Sequence, residues 1–137
     1  MNIFSDGGAR GNPGSSASAF VVIGNDGKVL HQESKYLGVT TNNVAESQGV
    51  ILALTWLTQE FPISNFQFPI NFYLDSELVV KQLNGLYRVK DLNLKNLFTI
   101  VKGLEKEIET KIIFQHVPRS KNQHADLLVN QELDLIS

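Results

Sequence analysis

The sequence predicts an α/β domain, a mixed five-stranded sheet with helices on both faces, and three observations carry that prediction. Short segments of period-two apolar residues alternate with longer segments of helical period, in the order βββαβααβα. The first three strands are separated by turn chemistry alone, which makes them an antiparallel meander. The later strands are joined through helices and must run parallel, by right-handed crossovers.

Each element has a local reason. Residues 2–6 (NIFSD) read as a short strand ending on an acid. Residues 7–14 (GGARGNPG) read as a turn, because four glycines and a proline oppose regular structure. Residues 17–25 (ASAFVVIGN) form a strand, Asn25-Asp26-Gly27 is a hairpin signal, and residues 28–38 return. Residues 43–60 are a helix on which Val50, Ala53, Leu54 and Leu57 recur at helical spacing, closed by Pro62. Pro69 opens a strand at 70–75, where Ile70, Phe72 and Leu74 alternate with Asn71, Tyr73 and Asp75. A short helix at 76–84 stops at Asn84-Gly85. A longer one at 94–109 carries Leu94, Leu97, Phe98, Val101, Leu104 and Ile108 on one stripe. Residues 111–117 (KIIFQHV) make the last strand, Pro118 breaks it, and residues 121–135 make the last helix.

The 137 residues fit one domain, spanning 1–137. At that size a chain buries roughly two thirds of its unfolded surface, so a core forms without staples. The absence of cysteine excludes disulfides, zinc–thiolate sites, iron–sulfur clusters and cysteine nucleophiles. No apolar run is long enough for a signal peptide or a membrane span. The expectation is a soluble cytoplasmic monomer with no membrane association and no obligatory protein partner. The net charge of −2 argues against a nucleic-acid binder, but its distribution is uneven. Nine of the twelve Lys and Arg lie between Lys81 and Lys121, which makes that stretch +5 and the remainder −7. A segregated charge of this kind can hold a phosphate backbone on one side and cations on another; a solvated helix face accounts equally well for Lys102 to Lys111.

Four acids invite a shared role, and each also has a plainer one. Asp6 ends strand 1, where an acid commonly forms the turn. Glu46 lies on the line 46, 50, 53, 57, which faces the sheet, yet Asn43-x-x-Glu46 also spells a capping box. Asp75 ends strand 4 and is placed to cap the following helix. Asp126 lies in the last helix with Asn122, Val129 and Leu133 on its face; it is either a solvated acid or part of a polar niche. The topology sends all four towards one end of the sheet, beyond the carboxyl ends of the parallel strands, where ligand crevices form. Four carboxylates there repel unless divalent cations neutralise them. Hard cations such as Mg²⁺ prefer carboxylate oxygens and share ligands with phosphate. Two such ions about 3.5–4 Å apart clamp the oxygens of an in-line displacement at phosphorus.

The loops add polar groups. Asp6 to Gly14 allows backbone to approach a ligand closely, but it lacks the Gly-Lys-Ser/Thr of a nucleotide-binding loop and no helix follows it. Its amides suit sugar hydroxyls, the groups that distinguish RNA from DNA; a tight hairpin is the alternative. Thr40-Thr41-Asn42-Asn43 exceeds what one helix cap needs, and the surplus suits phosphates or base edges. His116-Val117-Pro118-Arg119 leads towards Asp126, so a histidine or arginine there is placed to move a proton or hold a product phosphate. His116 is otherwise a strand-end residue, and His31 in the third strand is structural.

Taken together, SDGGARGNPG, TTNNVAES, FYLDSELVVKQLNG and HVPRSKNQHAD occur in order along nearly the whole chain, each delivering one acid. In this the sequence resembles the type 1 ribonucleases H. The resemblance implies a sheet of strand order 3-2-1-4-5 and hydrolysis of the RNA strand of an RNA–DNA hybrid, with 5′-phosphate and 3′-hydroxyl products. It implies two Mg²⁺ ions, for which Mn²⁺ substitutes, held by Asp6, Glu46, Asp75 and Asp126. Gly7, Gly8, Gly11 and Asn12 match positions that contact RNA. Thr41, Asn42 and Asn43 match positions that meet both strands, Thr41 in a DNA-phosphate pocket. Glu77 stands where the family has an RNA-contacting glutamine, and Asn122 is grouped with these contacts. Residues 86–93 (LYRVKDLN) replace the basic, tryptophan-containing handle of many members, and the one tryptophan is Trp56, so the chain looks like the compact subgroup. The loop before the fourth acid is short and departs from the family pattern, without a clear match for the family's mobile histidine; Arg119 or His116 could take its role, with Arg119 preferred. Two other functions fit the same fold. A non-catalytic hybrid-binding module is disfavoured because no acid is missing. A proofreading exonuclease is disfavoured because strand 1 carries Asp6-x-Gly8 where such enzymes carry Asp-x-Glu. A third possibility, a domain detached from a reverse transcriptase, would change the biological role but not the chemistry.

Overall fold

The computed structural model describes residues 1–60, 69–108 and 110–136. Five strands, β1 (Asn2–Gly11), β2 (Gly14–Ile23), β3 (Val29–Thr40), β4 (Ile70–Leu74) and β5 (Ile112–His116), form one sheet in the order β3-β2-β1-β4-β5. The β1–β2 and β2–β3 pairs are antiparallel, and β1–β4 and β4–β5 are parallel, as the connections require. Four helices accompany them: α1 (Asn42–Glu60), α2 (Glu77–Leu83), α3 (Leu92–Glu107) and α4 (Gln123–Asp134).

The sheet buries two cores. On one face Ile3, Phe20, Val22 and Phe72 meet Val50, Ala53, Leu54 and Leu57 of α1, with Val79 and Leu83 of α2 and Phe98 and Val101 of α3 completing the cluster. On the other, Ala17 and Ala19 of β2 meet Val129 and Leu133 of α4. Small residues on β2 let α4 lie close to the strands, while the period-two pattern places Phe20 and Val22 on the opposite side. His31 is structural: its ring stacks on Trp56 at a centroid distance of 4.7 Å, and its Nε2 bonds Glu33. Among the described residues no helix is long and apolar enough to cross a membrane.

The largest departure from expectation is the glycine segment. Residues 7–11 are not a turn but continue β1, pairing with β2 out to Gly11 opposite Gly14, so that only Asn12-Pro13, joined by a cis peptide bond, makes the bend. Glycine weakens a strand mainly through entropy and lost packing, and here β2 and α1 supply the partners. A Cβ on Gly7 would lie 2.1 Å from the backbone carbonyl of Ala45, so the missing side chain is what lets α1 rest on β1. The last helix also differs from a continuous run over 121–135. A 3₁₀ turn at Arg119–Lys121 precedes Asn122, whose φ of −118° and ψ of 26° break the path before α4 begins. Other boundaries move by one to three residues, and Pro62 and Glu109 lie outside the described residues.

Candidate active site

Glu46 occupies the first turns of α1, and two close approaches, one to β2 and one to β1, bring it over the sheet. Ala45 accepts a hydrogen bond from Ser18 Oγ at 2.6 Å, and a Cβ on Gly49 would sit 2.8 Å from the carbonyl oxygen of Asp6. The capping box does not form: Thr41 caps, its Oγ1 accepting from Val44 N at 3.3 Å. Glu46 is thereby free to point inward, and it is only 6% exposed. Asp6 is 5% exposed, with Oδ1 accepting from Gly7 N at 2.9 Å. Asp75 does not cap α2, because Ser76 does, accepting from Val79 N. Its carboxylate instead turns to the other acids.

One carboxylate oxygen from each of Asp6, Glu46 and Asp75 lies within 4.8 Å of the other two. Asp126 is not part of that triangle. It borders the same cavity of about 490 Å³, along with Gly7, Gly8, Asn42 and Arg119, and its charge reaches Asp6. Burial pushes the Asp6 carboxyl up to about 7, with the charges of Asp75 and Asp126 adding to the effect and hydrogen bonds from Glu46 and Gly7 N opposing it. Burial likewise holds Glu46 well above the carboxylate range, reinforced by the charges of Asp6 and Asp75. Hydrogen bonding to Asp6 and Asp75 also favours the protonated form of Glu46. As a carboxylate it leaves Oε2 buried with no donor. A set of hard oxygen ligands, crowded enough to hold a proton and containing an orphaned acceptor, fits a divalent cation better than it fits a structural role.

The other expected residues divide. Asn42 ties the hairpin to α1, its Oδ1 accepting from Ala9 N at 2.9 Å and its N–H donating to Asn12 Oδ1 at 3.0 Å. Gly7 and Gly8 line the cavity, whereas Gly11, Thr41 and Asn43 lie outside its wall. Arg119 lines it too, 79% exposed and 3.6 Å from Asp126 Oδ1. His116 is exposed and does not line it; its charge is felt instead by Glu77, whose carboxyl is held low by the hydrogen bond and charge of Lys81, 2.7 Å away. Asn122, grouped with the substrate contacts, is 1% exposed, and its amide is directed into the interior. Arg10 and Asn130 also border the cavity without having been singled out. Asn130 lies one turn past Asp126 and donates to its carbonyl at 3.0 Å, a spacing that was visible in the sequence.

A family model described as reverse transcriptase-like matches residues 4–132. Ribonuclease HI of Halobacterium salinarum is 34% identical over 135 residues, covering 98% of this chain and 64% of that protein. A bifunctional protein of Mycobacterium tuberculosis is 35% identical over 133 residues, so the chain spans about a third of its length, 35%. Among solved structures, LC11-RNase H1 in complex with an RNA/DNA hybrid superposes with a TM-score of 0.90 at 42% identity, covering 95% of this chain and 94% of that one. RNase H1 from Halobacterium salinarum gives a TM-score of 0.85 at 34% identity, covering 97% and 96%.

Proposed function

Because this chain belongs to the reverse transcriptase-like family, and within it to the type 1 ribonucleases H, we propose that it hydrolyses the RNA strand of RNA–DNA hybrids at internal phosphodiesters. The single observation that carries this reading is the meeting of Asp6, Glu46 and Asp75 within 4.8 Å beside a cavity that Asp126 also borders. Carboxylates from β1, α1 and the residue just past β4 are drawn together there at the cost of burial and mutual repulsion.

Asp6, Glu46 and Asp75 would hold one divalent cation, and Asp6 with Asp126 a second. Bound there, a pair of Mg²⁺ ions supplies Lewis-acid stabilisation of the charge that develops on the scissile phosphate and on its attacking and leaving oxygens. In the reaction a water oxygen bonds to phosphorus as the bond to the 3′ oxygen breaks, giving 5′-phosphate and 3′-hydroxyl ends. The chain's own residues do the remaining work. Gly8, on the cavity wall, has no side chain to keep the RNA backbone away, so main-chain atoms of this stretch would reach its 2′-hydroxyls. Asn12 and Asn42 hold the hairpin against the start of α1, which carries Thr41 and Asn43 towards the hybrid. Arg119, exposed at the rim, is placed to hold the product phosphate or shield the leaving oxygen; this reading favours it over His116, which does not border the cavity.

The test is cleavage of an end-labelled RNA–DNA hybrid with Mg²⁺ or Mn²⁺, beside the same RNA single-stranded and the matching DNA duplex. Internal cuts confined to the hybrid RNA, with ends that a 5′-phosphate-dependent exonuclease accepts, are the expected result. Hybrid binding without cleavage in either metal would instead support the binding-module alternative.

A further inference from the structure

Resting on the ribonuclease H reading, we propose that Asn122 is a positioning residue, the amide that fixes Asp75 and the start of α4 relative to Asp6. Its place in the sequence makes it look like an ordinary helix cap, but its side chain makes no capping bond. The amide turns inward. Nδ2 donates to the carbonyl of Ser5 at 2.8 Å, one residue before Asp6, and to Asp75 Oδ2 at 3.4 Å. The carbonyl of Asn122 accepts from Asp126 N at 3.1 Å. One residue therefore touches the three chain segments, β1, the end of β4 and α4, that carry Asp6, Asp75 and Asp126.

Chemistry selects asparagine for this. Its NH₂ has two hydrogens for two acceptors, which a hydroxyl cannot match. It brings a neutral donor to Asp75, where a carboxylate would add repulsion. The arrangement has a cost that stability alone would not favour. Asn122 is 1% exposed and its Oδ1 is buried with no partner, so the residue accepts the desolvation of an orphaned acceptor and forgoes a cap. Groups that orient ligands from behind behave in this way, and their loss typically weakens metal affinity or activity by about 10–100-fold.

The experiment compares wild type with Asn122→Ala and Asn122→Ser. Serine keeps a good capping residue at the helix start, so it guards against simple unfolding. Folding is checked by circular dichroism and melting. Mn²⁺ and Mg²⁺ binding are measured by calorimetry without nucleic acid, and kcat and KM are measured on a hybrid. Folded variants with metal Kd raised about 10–100-fold, and kcat lowered while KM moves less than about threefold, are expected. A folded variant that keeps wild-type metal affinity and kcat overturns the proposal, as does one that loses only melting temperature. Failure of both variants to fold would make Asn122 a determinant of the fold, which also overturns it. Should wild type bind metal but not cleave hybrids, the function proposed above falls, while the calorimetry still decides the role of Asn122.

Discussion

Asp6→Asn should make the metal-free protein more stable while destroying activity. The substitution keeps the shape and the Oδ1 acceptor for Gly7 N but removes a charge that is 5% exposed and faces Asp75 and Asp126. The folded state raises the Asp6 carboxyl from 3.8 to about 7, so between those values it binds a proton more tightly than the unfolded chain does. Stability contributed by that carboxyl therefore falls as pH rises through the window. The full difference is about 4 kcal/mol at pH 8 if Asp6 carries it alone, and less where Glu46 takes the proton in its place. At roughly 3–4 °C per kcal/mol for a chain of this size, melting in EDTA at pH 8 should rise by up to about 10–15 °C, with little gain at pH 4. Added Mg²⁺ should raise the melting temperature of wild type and leave the variant nearly unmoved, and kcat should fall by on the order of 10²–10³ or more. Differential scanning calorimetry at pH 4, 6 and 8, with and without Mg²⁺, gives the answer. A variant that melts at or below wild type at pH 8 in EDTA would show that crowding and burial do not dominate at this carboxyl.

Four further outcomes follow from the same geometry. Because a proton must leave Asp6 before an ion enters, apparent Mg²⁺ affinity measured by calorimetry should fall by up to about tenfold per pH unit below about pH 7, and a flat profile between pH 5.5 and 7 would contradict this. Gly7→Ala should displace α1 and Glu46, abolishing activity and cooperative melting, since its Cβ would meet the Ala45 backbone at 2.1 Å. Gly8→Ala, whose Cβ meets only Val129 Cγ1 at 3.7 Å, should fold normally and raise KM for the hybrid; melting curves and kinetics separate the two. Arg119→Ala should lower kcat by about tenfold or more yet change stability by less than about 0.5 kcal/mol, because its ion pair with Asp126 is exposed. A larger loss in His116→Ala than in Arg119→Ala would move the role to the histidine.

Periodicity and turn chemistry act between residues close in sequence, and what depends on them was legible in the chain itself. The order of elements, the inward stripe of Glu46, Val50, Ala53 and Leu57, and the alternation of Ile70, Phe72 and Leu74 all follow from spacing, and the structure buries each of these residues. Four motifs in order also marked the acids and the family. What remained hidden depends on partners distant in sequence. Whether residues 7–11 bend or extend was decided by β2, which supplies their hydrogen bonds, and by α1, which needs the room a glycine leaves. Whether Asn43, Thr41 or Glu46 closed the start of α1, and whether Asp75 or Ser76 closed α2, was decided by competition for side chains that three-dimensional neighbours settled. The same holds for Asn122, a surface contact by position and an interior tether by packing, and for Asp126, which borders the acidic cavity yet stands outside the tight triangle. Burial and mutual repulsion exist only once distant segments meet, so the protonation of the Asp6 and Glu46 carboxyls is a property of the fold and not of any stretch of its sequence.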